Sequence, residues 1–158
     1  MIVRQFRETD DLSPLLNGVY GPEAVEILLT HEAFERDRAW IAEEDGKAVG
    51  FACCAAEYLA CFVGDCEELL DRVQQDAGLR GCGRLKVSYF CPIRLPWVIP
   101  ESDGARHNNR PGMPVGSPEH DLFCRCGWQE KSRQVAMYLP LEGYVFPEEV
   151  KKQAEEMA

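Results

Sequence analysis

The chain has too few positive charges to present a basic face. Its 158 residues hold 17 lysines and arginines against 27 aspartates and glutamates, a formal net charge of −10. Nucleic-acid surfaces are built from concentrated lysine and arginine, so a nucleic-acid partner is not expected. The same acidity disfavours any polyanion unless cations or backbone N–H groups gather locally. No apolar run reaches the roughly 18 residues of a membrane span, and no membrane partner is expected. The N-terminus, Met1-Ile-Val-Arg-Gln-Phe-Arg7, goes straight into alternation and lacks the pattern of a secretory signal. No internal repeat is visible. Zinc spacing is missing too. Cys124-x-Cys126, with His107 and His120 in the same stretch, lacks a matching second pair. Residues two apart on a helix also point about 200° away from each other. No metal is expected.

Cysteine is plentiful, at eight. Cys53, Cys54 and Cys61 sit in apolar strand-like runs, and Cys66 and Cys82 flank a helical pattern. Without an export signal these read as free thiols and small buried hydrophobes of a cytoplasmic protein. The length suits one domain burying roughly two-thirds of its unfolded surface.

Asp45-Gly46 between two β-prone runs predicts a tight hairpin, with Trp40–Glu43 and Val49–Cys54 as its arms. Ile2–Arg7 alternates and predicts a strand. Thr9 or Asp10 can cap a helix carrying Leu12, Leu15, Leu16 and Val19, with Pro14 in its first turn. Pro22 opens a second helix. Tyr58–Val63 is a continuous apolar run, the pattern of a central strand. Asp65 is placed to cap a helix over Cys66–Ala77, with Gly78 at its C-terminal end. Leu85–Phe90 predicts another strand. Cys91 to Pro118 holds six of the ten prolines and reads as a long loop, packed in part rather than loose. A short helix over Glu119–Cys126 and a last strand over Arg133–Leu139 follow, then a charged tail helix. The expected order is β, α, α, β, β, β, α, β, α, β. This is an α/β (α+β) domain with a mixed, mostly antiparallel central sheet and helices on both faces. Residues 1–141 form the domain and 142–158 a charged tail or linker.

This order, with three local pieces, resembles the GNAT superfamily of N-acetyltransferases, in particular the N-terminal half of its double-domain members. The pieces are the hairpin Ala42-Glu-Glu-Asp-Gly-Lys-Ala-Val-Gly-Phe51, the early helix Leu15-Leu-Asn-Gly-Val-Tyr20, and Pro111–Pro118 leading into Phe123-Cys-Arg-Cys-Gly-Trp128. The resemblance implies acetyl-CoA as cofactor. By position it would lie along Cys61, Phe62, Val63, Gly64, Asp65 and Cys66, in the splay between Tyr58–Val63 and Leu85–Phe90, held mainly by backbone groups. A small-molecule or peptide amine is the implied acceptor, and a second such domain or a second copy the implied protein partner.

Three departures bear on that chemistry. The family's basic, glycine-rich pyrophosphate turn is replaced by Gly64-Asp65, with Glu67 and Glu68 following, where carboxylates repel a diphosphate. The tyrosine that protonates the departing thiolate in many members aligns with Phe123, which has no proton to give. A frequent asparagine seven residues earlier aligns with Gly116. Candidate replacements are Glu57 as base and Tyr138 or Cys124 as acid. Glu57 reads more readily as a solvated turn residue, since charged residues in short connections usually face water. Trp97, Arg106, His107 and Arg110, in the proline-rich loop, are candidate substrate-binding residues; the two arginines could hold an anionic group, and the polar cluster reads also as a solvated loop tip. Two functions stay open. One is a GNAT-type domain with a degenerate acetyl-CoA site and weak or absent catalysis. The other is an active acetyltransferase with an atypical site.

Overall fold

The computed structural model describes residues 1–99, 102–108, 110, 112–135, 143, 145 and 147–156. Four strands, β1 (Ile2–Gln5), β2 (Ala39–Glu44), β3 (Lys47–Ala55) and β4 (Tyr58–Val63), make one antiparallel sheet in that spatial order. The β2–β3 hairpin turns at Asp45 (φ 50°) and Gly46 (φ 75°), and Glu44 pairs with Lys47 across it. Two central residues at positive φ are what a two-residue hairpin turn needs to match strand twist.

Alternation sends the two faces of the sheet into two cores. Phe51, Cys53 and Ala55 join a cluster with Leu16 and Tyr20 of α1 (Ser13–Tyr20) and Ala24 and Leu28 of α2 (Ala24–Thr30). Ala52 and Cys54 join a second cluster with Leu69, Leu70 and Val73 of α3 (Glu67–Leu79) and Leu122 and Phe123 of α4 (Pro118–Arg125). Helices therefore cover both faces, and the architecture is α+β. The vicinal cysteines point to opposite sides, as a strand requires.

Several expected boundaries move. Asp10 does not cap α1, because Arg4 and the Arg7 N–H hold its carboxylate at 2.7–2.8 Å. The cap position falls at Leu12, with Pro14 in the first turn. Asp65 does not cap α3 either. Gly64 (φ 108°) passes under Val49 so closely that a Cβ there would meet the Val49 carbonyl oxygen at 2.6 Å. That turn points Cys66 inward, and its Sγ accepts the Leu69 N–H at 3.3 Å. Asp65 faces out and pairs with Arg125 at 2.9 Å. Gly78 lies inside α3, and Gly81 (φ 76°) makes the left-handed turn after it.

Leu85–Phe90 is not a strand. A single parallel bridge, Tyr58 with Lys86, links it to the edge of β4. Beyond Lys86 the chain leaves the sheet to bury Cys91, Ile93 and Leu95 in the α1–α2 core, and it cannot do both. The proline-rich stretch holds a short hairpin that the sequence pattern did not reveal, β5 (Trp97–Val98) against β6 (Arg106–His107), seated on α1. Arg133–Val135 has no regular structure, so the expected last strand fails over its first three residues; Ala136–Leu139 lies outside the described residues. The tail forms α5 (Glu148–Glu156).

Candidate functional site

The bridge at Lys86 stands at one end of a narrow cleft along β4. Leu59 N–H donates to the Lys86 carbonyl (2.8 Å), and Lys86 N–H donates to the Glu57 carbonyl (2.9 Å). Past this point the two segments diverge. The gap is walled by Leu59 to Phe62 on one side and by Val87, Ser88, Cys91, Ile93 and Leu95 on the other, with Tyr20, Arg110 and Met113 completing the lining. Its interior offers about 30 Å³ to water, room for about one or two molecules.

Arg110 is the cation of this cleft. Its backbone N–H is held by the Leu95 carbonyl at 3.1 Å. Nη1 donates to the Tyr20 hydroxyl at 2.5 Å, and the guanidinium sits 5.1 Å from the centre of the Tyr20 ring. Nε is buried and has no hydrogen-bond partner. A buried donor left without an acceptor costs about 1–3 kcal/mol. No carboxylate among the described residues forms an ion pair with Arg110. Burial pushes the Tyr20 hydroxyl well above its usual range, although the Arg110 charge opposes this. The Cys61 thiol beside it is pushed up to about 12, again by burial. Both groups are therefore protonated near neutral pH, and neither is a ready nucleophile.

At the far end of β4 the protein fills its own anion-receiving groups. The Gly64 N–H donates to Glu119 Oε1 at 3.3 Å. Cys66 Sγ takes the Leu69 N–H, and Asp65 lies in its surface pair with Arg125. Glu67 and Glu68 stand in the first turn of α3. Phe123 is buried, with its ring edge-on to Phe62 at 5.0 Å and tilted against Trp128 at 4.6 Å. It is a core residue, and no proton donor occupies that position.

The expected site residues scatter. Cys61, Phe62 and Arg110 reach the cleft. Glu57 does not; its carboxylate pairs with Lys86 at 2.7 Å and edges a separate depression beside Arg38, Arg80 and Gly81-Cys82-Gly83. Arg106 is bound by Glu23. Trp97 is half-buried and faces His107 across the β5–β6 ladder. Tyr138 lies outside the described residues. Tyr20, Cys91 and Glu119 were missed. Each looks like an ordinary helix or loop residue in the sequence, and only the approach of distant segments gives them a role. All eight cysteines are free, and no group of three metal-ligating side chains occurs among the described residues. No described helix is long and apolar enough to cross a membrane.

Comparisons with protein-family models, with curated proteins and with solved structures find no match. The functional reading therefore rests on the geometry of this chain.

Proposed function

We propose that the chain is a GNAT-type acyltransferase domain whose acetyl-CoA site is degenerate, so that it binds the cofactor weakly and transfers no acetyl group on its own. The observation that carries this reading is the end of β4. A cleft lies beside Leu59 to Phe62 of β4, and at the far end of the strand, outside that cleft, the Gly64 N–H that would face a phosphate on this reading is already bound by Glu119. Asp65, Glu67 and Glu68 add negative charge at the same helix start. Each carboxylate near a phosphate costs on the order of 1 kcal/mol at a partly exposed site. Phe123 supplies no general acid. Such a domain acts as a regulatory, substrate-binding or dimer-forming half beside a second domain of its kind or a second copy.

Calorimetric titration with acetyl-CoA tests this. The expected result is a Kd weaker than about 100 μM, and no acetyl transfer to amine acceptors. Micromolar affinity, or measurable transfer, would overturn it. It would favour instead an active N-acetyltransferase acting on a small-molecule or peptide amine. The apolar cleft beside β4 is the feature that supports this second reading.

A further inference from the structure

We infer that the cleft between β4 and the Val87–Leu95 segment is a binding site for a small carboxylate, with Arg110 as its anchor. The inference uses the same cleft as the reading above but does not require coenzyme A. Three observations converge on it. Arg110 lines the cleft without an acidic partner among the described residues, although the chain as a whole is strongly acidic and seven of its twelve arginines form ion pairs. Its Nη1 is taken by Tyr20, which leaves the edge carrying the unpartnered Nε for a side-on carboxylate. The Tyr20 hydroxyl accepts from Arg110, and its own proton, directed at the Cys61 thiol, would turn to an incoming carboxylate oxygen, a stronger acceptor than sulfur.

The rest of the lining selects the ligand further. Leu59, Phe62, Val87, Ile93, Leu95 and Met113 are apolar, so they suit a short aliphatic tail. A few convergent polar groups in an apolar cleft are the ordinary composition of a small-molecule site. One cation suits a monoanion. A phosphate dianion would want several more donors, and the N–H at the end of β4 is occupied. Glu119 is the nearby negative group on the adjoining helix, and its bond to Gly64 holds it at the far end of the strand. The small interior, about 30 Å³ for water, limits the enclosed part to little more than the carboxylate group.

The test is thermal-shift and calorimetric titration of the full chain with propionate, with propionamide as the neutral isostere and inorganic phosphate as the rival anion. Propionate is expected to raise Tm saturably, with a Kd of about 1 mM or tighter. Propionamide and phosphate are expected to bind at least about tenfold more weakly, a loss of about 1.4 kcal/mol or more. Arg110→Met should abolish the propionate shift, and Arg110→Lys should weaken it about tenfold or more, because lysine has no planar fork. If Arg110→Met does not fold, the comparison of propionate with propionamide on the unaltered chain decides. Equal shifts from the two, no shift from propionate, tighter binding of phosphate, or an unchanged shift in a folded Arg110→Met protein would each overturn the inference. Failure here leaves the acetyl-CoA titration untouched, so the two readings fall separately.

Discussion

At the residue scale, the decisive feature of this protein is which charges have partners. Arg4 is held by both Asp10 and Glu43, at 2.7 Å and 2.5 Å. Its hydrogen bonds keep both carboxyls below their usual range. Carboxyls depressed in the folded state stabilise it above their unfolded values, about 3.9 for Asp and 4.3 for Glu. That contribution is lost as pH falls through the lower, folded values. Arg4→Met should therefore destabilise the protein near neutral pH, and the gap to the unaltered chain should close below about pH 4, as urea melts across pH would measure. Gly64 makes a second residue-scale case. Its φ of 108° and the 2.6 Å approach of the Val49 carbonyl leave no room for a Cβ. Gly64→Ala is expected to cost about 1–3 kcal/mol or more. Gly78, inside α3 with open space around it, is the control. Gly78→Ala should stabilise by about 0.5–1 kcal/mol, and denaturant midpoints would register both changes.

At the element scale, the start of α3 and the start of α4 meet around one N–H. Glu119, in the first turn of α4, reaches back to Gly64, while Asp65 reaches forward to Arg125 of the same helix. These reciprocal links tie α4 to the β4–α3 turn. Asp65 and Arg125 are both more than half exposed, so their pair adds little to stability; its effect is on which anions can approach. Replacing Glu119 with Ala and neutralising Asp65, Glu67 and Glu68 should tighten acetyl-CoA binding, increasingly so at low salt, where screening is weakest. Calorimetry at two ionic strengths checks this. No gain at either would mean that these carboxylates are not what weakens the site. The expected strand at Leu85–Phe90 and the observed single bridge carry the same lesson. Local β propensity gave way to the burial of Cys91, Ile93 and Leu95, which draws the backbone out of the sheet plane.

At the scale of the whole molecule, two cores share the cysteines between them. Cys53, Cys61 and Cys91 lie with α1 and α2, and Cys54 and Cys66 lie with α3. Burial raises all five thiols, with Cys54 and Cys61 at about 12. Acids whose folded values are raised stabilise the fold below their unfolded value, about 8.5 for Cys, and that contribution is lost as pH rises toward the folded value. Stability should therefore fall steadily above about pH 9. Reaction with an aromatic disulfide reagent in the native state should be rapid only at Cys124, Cys82 and Cys126, which are exposed or half-buried. In denaturant all eight should react. Fast native reaction of more than three thiols would show that one of the two cores opens readily.

What the sequence settled is local or periodic. Asp45-Gly46 specified its hairpin, because few residue pairs tolerate two positive φ values in a row. The unbroken apolar run of Tyr58–Val63 specified a strand buried along most of its length, and the alternation of Phe51 to Ala55 divided the side chains between two cores. The spacing of Leu69, Leu70, Val73 and Ala77 specified the buried face of α3. What the tertiary structure alone decided is everything that depends on distant segments meeting. Arg110 was visible as a candidate cation, but its partner Tyr20 lies 90 positions away. Glu119 and Gly64 are separated by 55 positions, and no local pattern couples them. Asp65 was an apt helix cap by residue type. It lost the place to Cys66 because the close passage of Gly64 beneath Val49 fixes the direction of the chain there. Propensity acts over a few residues, whereas a site is assembled by packing, and packing is decided by the chain as a whole.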